Sequence, residues 1–176
     1  MLPALTSHYG PIKQIAYITD DIDTAIDHWH TQMGVGPFAV VRDIAPLTGA
    51  DYRGERIENV RINVAFSYIG DIQLELIHQI NDTPSIYTES LNRGAHSVHH
   101  YGVCVDDFDK AYDHASDNGF NTIVKTKMMA YVESEKIPGL ILEIVAWNDY
   151  TRPYFEGIET FLANADPAQL KHDYQL

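Results

Sequence analysis

Two glutamates sit between apolar neighbours in matching runs, LELI at 74–77 and LEIV at 142–145. On a two-faced strand, such a carboxylate points away from its neighbours and meets water. On a strand buried on both faces it needs a partner or a cation, because an unpaired buried charge is costly. Burial statistics favour the solvated arrangement for either glutamate alone. Finding both Glu75 and Glu143 at the same place in two related stretches shifts the balance. Gln14 and His100 mark equivalent positions at the starts of those stretches. The four supply one imidazole nitrogen, one amide oxygen and two carboxylates. Such a mixed shell suits one divalent ion (Zn²⁺, Ni²⁺, Co²⁺, Mn²⁺ or Mg²⁺) and leaves room for water or substrate. It contains no thiolate that would favour a closed structural zinc site.

The register comes from an internal repeat. IAYITDDIDTAIDH at 15–28 and YGVCVDDFDKAYDH at 101–114 place Asp-Asp, Asp, Ala and Asp-His at the same offsets. Each copy opens with a strand-like run, Ile12–Ile18 or Tyr101–Val105, followed by a helical pattern. Ile22, Ala25, Ile26, Trp29 and Met33 share one helix face; Phe108, Ala111, Tyr112 and Ala115 share the other. The acidic pairs suit helix N-termini, and Gly34 and Gly119 suit helix stops. Val60–Tyr68 and Ile72–His78 read as a hairpin across Gly70-Asp71. Met128–Ser134 and Leu140–Trp147 repeat that hairpin, and shorter strands are expected at Pro37–Val41 and Asn121–Thr126. Each half is thus β-α-β-β-β. The expected fold class is α+β, with two tandem βαβββ modules related by a pseudo-twofold.

The expected segments are an N-terminal stretch (1–11), a first module (12–80), a linker with a short helix (81–98), a second module (99–147) and a C-terminal extension (148–176). The linker helix is expected at Pro84–Asn92, capped by Thr83. The extension reads as a helix, Arg152–Ala163, and a mobile polar tail, Asp166–Leu176. The first copy exceeds the second by the length of Arg42–Asn59, a polar segment that reads as a loop and a lid.

Twelve Lys and Arg stand against 25 Asp and Glu, a net charge of −13, which disfavours nucleic acid and anionic membrane surfaces as partners. No apolar run of about eighteen residues is present, and Met1–Gly10 lacks the basic start and apolar core of a signal peptide. The lone Cys104 lies in an apolar run and reads as a small buried hydrophobe. A cytoplasmic location is expected.

Other residues carry less. Alternation on a strand points His99 away from the face that His100 uses. His96 falls in a loop, and His28 and His114 lie on solvated helix faces. Arg53, Arg56 and Arg61 around the long segment could meet an anionic substrate, although scattered surface arginines are commoner. Phe38, Tyr52, Tyr68, Tyr131 and Trp147 could line an aromatic pocket, although each alone more often packs a core. The glycines near Gly34 and Gly36 lack the lysine and following helix of a phosphate loop.

On IKQIAYITDDIDTAIDHW, INVAFSYIGDIQLELI, GAHSVHHYGVCVDDFDKA and GLILEIVAW, the sequence resembles the vicinal oxygen chelate superfamily over roughly residues 12–147. That superfamily includes methylmalonyl-CoA epimerase, glyoxalase I, extradiol dioxygenases and antibiotic-resistance proteins; the epimerase branch is the most similar. The resemblance implies two βαβββ modules, paired within one chain or across chains, that form a cleft around one divalent metal, with Gln14, Glu75, His100 and Glu143 as its ligands. The substrate would bind through two neighbouring oxygens, as in a CoA or glutathione thioester or adduct. Glu143 would act as base, with Glu75 as second choice. The epimerases commonly have histidine where this chain has Gln14, whereas some glyoxalases I have glutamine. Gln14 also counts against a dioxygenase. The implied activity is epimerisation, isomerisation or a lyase reaction through an enolate; the alternatives are glyoxalase I-like chemistry and metal-free binding. A homodimer is expected, helped by the aromatic stretch Tyr150–Phe161.

Overall fold

The computed structural model describes residues 8–93 and 98–175. The first module runs β1 (Ile12–Ile18), α1 (Ile22–Met33), β2 (Phe38–Ile44), a two-rung hairpin of β3 (Asp51–Tyr52) and β4 (Glu55–Arg56), then β5 (Ile62–Ile69) and β6 (Ile72–Gln79). After α2 (Ile86–Asn92), the second module runs β7 (Val98–Val105), α3 (Phe108–Asp117), β8 (Phe120–Lys125), β9 (Met129–Ser134) and β10 (Ile141–Ala146). The extension adds α4 (Arg152–Ala163) and β11 (Lys171–Asp173).

The acidic pairs do the work the repeat suggested. Asp21 caps α1 by accepting from the Thr24 amide at 2.7 Å, and Asp107 caps α3 by accepting from Lys110 at 3.1 Å. Gly34 ends α1 in the left-handed region at φ 69°, where a side chain would be strained. One face of α1 buries Ile22 and Ile26 against Phe38, Val40 and Leu74, and α3 buries Phe108, Ala111 and Ala115 against Val132 and Ile144.

The eleven strands of the described residues form one sheet, ordered β11-β2-β5-β6-β1-β7-β10-β9-β8-β3-β4. Its middle is the seam between modules. β1 runs antiparallel to β7, and each lies parallel to the last hairpin strand of its own module, β6 or β10. The modules therefore pair within one chain. The seam pairs Gln14 with Gly102 and Ala16 with His100; the flanking ladders pair Ala16 with Glu75 and Gly102 with Glu143. Each pairing in one module has its image in the other, so a pseudo-twofold axis passes through the seam.

Three expectations change. Arg42–Asn59 is not a free lid: β2 continues to Ile44, and Asp51 and Tyr52 pair with Lys125 and Val124 on the far module's edge strand. Burial of Leu47, Ala50 and Ile57 fastens this segment down. The linker helix starts at Ile86, because Ser85 rather than Thr83 forms the capping box with Thr88. Thr83 Oγ1 instead donates to the Asn59 carbonyl at 3.2 Å. The tail is not loose: β11 lies parallel to Phe38–Val40, and Lys171 Nζ reaches Asp27 at 2.9 Å. His96 lies outside the described residues.

Candidate active site at the module seam

Paired residues on neighbouring strands share a face, so the register brings Gln14, Glu75, His100 and Glu143 together on one face of the seam. His100 is fully buried, and its Nε2 lies 3.3 Å from Gln14 Oε1, 3.4 Å from Glu75 Oε2 and 3.5 Å from Glu143 Oε2. Burial opposes a charged imidazole, but Glu143 and Glu75 outweigh it and raise the His100 pKa to about 9. Burial raises the Glu75 carboxyl above its ordinary value, against the pull of His100.

A further set of residues orients these groups. The Gln14 amide donates to Gln73 Oε1 at 2.7 Å, and Gln73 donates to the Tyr68 hydroxyl at 3.0 Å, which turns Gln14 Oε1 toward His100. Nδ1 of His100 lies 2.9 Å from Nδ1 of His99. Burial first, then the charge of His100, hold the His99 pKa well below its ordinary value; neutral His99 accepts, and His100 Nε2 is left facing the carboxylates. Gly102 leaves the space that Gln14 fills: a Cβ there would stand 2.8 Å from Gln14 Cβ and 2.9 Å from its Oε1.

Sequence reasoning missed Gln73 and Gly102. One signal was available for Gly102: the repeat aligns it with Ala16, so both copies place a small residue beside a glutamate. Gln73 has no such echo, because Ile141 stands in its place.

Above the carboxylates lies a 310 Å³ cavity that Glu75, Glu143, Tyr87, Tyr131, Tyr154 and Leu47 help to line. Burial, reinforced by the two glutamates, raises all three tyrosine pKa values, so their hydroxyls stay protonated as donors. Beyond Phe155 lies a 740 Å³ groove that includes Lys13, Tyr68, Cys104 and Trp147; Phe155 is a wall of both spaces. Of the aromatics singled out in the sequence, Tyr131 reaches the cavity, while Tyr68 and Trp147 reach the groove. Phe38 packs in the core, and Tyr52 donates to Glu89 at 3.0 Å. Cys104 is half-buried rather than fully inside, and burial followed by the charge of Glu143 pushes its pKa to about 11. The three arginines of the long segment are engaged elsewhere: Arg53 with Glu89, Arg56 with Glu58 and Arg61 with Asp43.

Among the described residues, no three His, Cys, Asp or Glu side chains stand as a ready-made cation cage; here the carboxylates rest on the imidazole. The donors nevertheless fit a divalent ion. Ligands bonded at about 2.1 Å to one ion lie roughly 3.0–3.4 Å from their neighbours, close to the three distances that separate His100 Nε2 from Gln14, Glu75 and Glu143. An N/O₃ set with no sulfur suits the ions named above.

Among the described residues, no helix is long and apolar enough to cross a membrane. The model of the Glyoxalase/Bleomycin resistance protein/Dioxygenase superfamily matches residues 13–135. Among solved structures, methylmalonyl-CoA epimerase from Mycobacterium tuberculosis is similar with a TM-score of 0.61 at 15% identity, covering 86% of this chain and 96% of its own. A hypothetical protein from Bacillus halodurans gives 0.58 at 14%, covering 79% and 95%. A methylmalonyl-CoA epimerase from Streptomyces coelicolor in complex with 2-nitronate-propionyl-CoA gives 0.55 at 16%, again covering 79% and 95%. No curated protein matches the sequence. At these identities the solved structures speak for the fold alone, while the family match spans well over half of the chain: this protein belongs to the Glyoxalase/Bleomycin resistance protein/Dioxygenase superfamily.

Proposed function

We propose that the chain is a divalent-metal-dependent epimerase, isomerase or lyase that removes a proton from carbon beside a carbonyl. One observation carries this reading: an imidazole nitrogen, an amide oxygen and two carboxylates from both modules converge beneath a cavity. Gln14, Glu75, His100 and Glu143 would hold the ion. When bound, it supplies Lewis-acid stabilisation of the oxyanion that develops at the carbonyl.

The protein's own groups do the rest. Glu143 takes the proton from carbon, and the C–H electron pair moves to the carbonyl oxygen. Glu75, on the opposite side of the seam, returns a proton: to the same carbon for epimerisation, or to the neighbouring carbon for isomerisation. Tyr87, Tyr131 and Tyr154 offer hydroxyl donors in the lining of the cavity.

The test is elemental analysis of protein purified without added metal, followed by deuterium uptake from D₂O into a bound carbonyl compound. A stoichiometric divalent ion and exchange lost in Glu143→Gln are expected; absence of a stoichiometric ion sinks the reading. A second reading, a metal-free binding or sequestration protein, is favoured by one contact set: Glu75 and Glu143 already satisfy a charged His100 without a cation. It predicts ligand affinity unchanged in Glu143→Gln.

A further inference from the structure

The helix that supplies two walls of the cavity is held at its two ends by different means. From α4, Tyr154 lines the 310 Å³ space, and Phe155 is a wall of both that space and the 740 Å³ groove. The start of α4 is tied to the end of β10 by a turn. There the Asn148 side chain accepts from the Tyr150 amide at 2.9 Å and from the Thr151 amide at 3.2 Å. The Tyr154 ring meets Phe66 edge-on at 5.9 Å, and Phe155 lies 5.8 Å from the Trp147 ring. Farther along, the fully buried Ile158 fixes one face, and the second half of the helix rests on another part of the chain.

That part is the segment 170–174. β11 runs along β2, and two further backbone bonds lengthen the ladder: the Phe38 amide donates to the Leu170 carbonyl and the Tyr174 amide to the Val40 carbonyl, both at 2.8 Å. From this ladder two rings reach α4. The Phe161 ring lies 4.8 Å from that of Tyr174 and 6.1 Å from that of His172, within the range of favourable aromatic pairs. An interior glycine weakens a helix, and Gly157 is one; a Cβ there would stand 2.9 Å from the Tyr174 hydroxyl oxygen. The residue that loosens α4 is thus the one that admits Tyr174. Lys171 Nζ adds ion pairs with Asp23 at 3.3 Å and Asp27 at 2.9 Å. Their carboxylates are exposed and such pairs contribute little, so the ring contacts do most of the holding.

We propose that the segment 170–174 is a latch that positions Tyr154 and Phe155, with Tyr174 as its main positioning residue. While β11 lies on β2, α4 is held against Phe66 and Trp147. When β11 lifts, both walls move, and the cavity opens into the groove past Phe155. The latch concerns the walls of the site, so it goes beyond the proton-transfer reading and holds with or without a metal ion. α4 and β11 both lie outside the two modules, so the repeat neither requires nor explains them. Segments with few neighbours open before the core does. The three-residue β11 pairs on one side only, whereas each seam strand pairs on both.

Hydrogen exchange on the full chain tests this, comparing Tyr174→Ala and Tyr174→Phe with the unsubstituted protein; Tyr174→Leu replaces the alanine variant if that one fails to fold. Tyr174→Ala should speed exchange of the 152–163 amides by at least about tenfold, while the amides of β1, β6, β7 and β10 keep their rates. Tyr174→Phe keeps a ring against Phe161 and should match the unsubstituted protein. A second readout follows Phe155. With Trp29→Phe in the background, Trp147 is the only tryptophan, and acrylamide quenching of its fluorescence should rise about twofold in Tyr174→Ala. Unchanged exchange in α4 overturns the proposal. So does an increase shared evenly by the seam strands, which is the mark of a plain loss of stability. Loosening in Tyr174→Phe equal to that in Tyr174→Ala overturns it too, because the ring would not be the hold. Faster α4 exchange with unchanged Trp147 quenching would mean that the walls had not moved, and the latch would fail on that count as well.

Discussion

The two modules offer the same backbone twice and different side chains at matched points. Gln14 and His100 are images across the seam, yet one is an amide tied through Gln73 to Tyr68 and the other an imidazole tied to His99. Glu75 and Glu143 are images too, and here the side chain is kept. The backbone symmetry brings the four groups to one place, and the unlike pair gives that place a direction. His100 is the basic nitrogen on which the carboxylates converge, while Gln14 is a weak neutral oxygen donor. A twofold pairing can therefore support a site whose two sides do different work.

The difference can be tested from the strongest effect downward. His100→Ala should lower divalent-ion affinity by at least about hundredfold and Gln14→Ala by roughly tenfold, read by competition with a chromophoric chelator. Equal losses would mean that the asymmetry has no consequence for ion binding. Cys104 stands where the first module has Ile18. With its pKa raised to about 11, the thiolate fraction at pH 8 is small, so alkylation of the folded protein should run on the order of hundredfold slower than that of an ordinary thiol. The rate should climb as pH rises toward 11 and become ordinary in denaturant.

The small residues beside the glutamates form the next pair. Gly102→Ala drives a methyl into Gln14 and should cost about 1–3 kcal/mol in urea unfolding, along with ion affinity. Its image, Ala16→Gly, should cost only roughly 0.5–1 kcal/mol, mainly through backbone entropy. The orienting amide gives the last pair: Gln73→Ala should weaken ion binding about tenfold. Ile141→Val, at the equivalent position, should leave ion affinity unchanged.

The quartet was legible in the sequence because repeats preserve register. Aligning Gln14 with His100 fixed which strand faces meet, and a one-residue slip would have chosen His99 instead. The helix starts were legible for a local reason, since Asp21 and Asp107 cap within three residues of themselves. What escaped depends on distant partners. Asp51–Tyr52 has no strand-like run of its own and becomes a strand only by joining β8. Lys171–Asp173 likewise pairs only because β2 presents an open edge and Asp23 and Asp27 offer counter-charges. The arginines around the long segment looked available because their acidic partners lie up to dozens of residues away. Tyr87 and Tyr154 reach the cavity from α2 and α4, outside both repeats, so the alignment that found the carboxylates could not find the walls around them.

The two ends of the sheet bear on assembly. Long bare strand edges invite a second chain to add on, and proteins blunt them with short or irregular strands. Here the eleven-stranded sheet finishes in the two-residue β4 at one side and the three-residue β11 at the other. Each terminal strand is too short to template a continuous ladder. The long segment and the chain's own tail thus shorten the open edges of β8 and β2, which lowers the tendency of the sheet to accept a strand from a second chain.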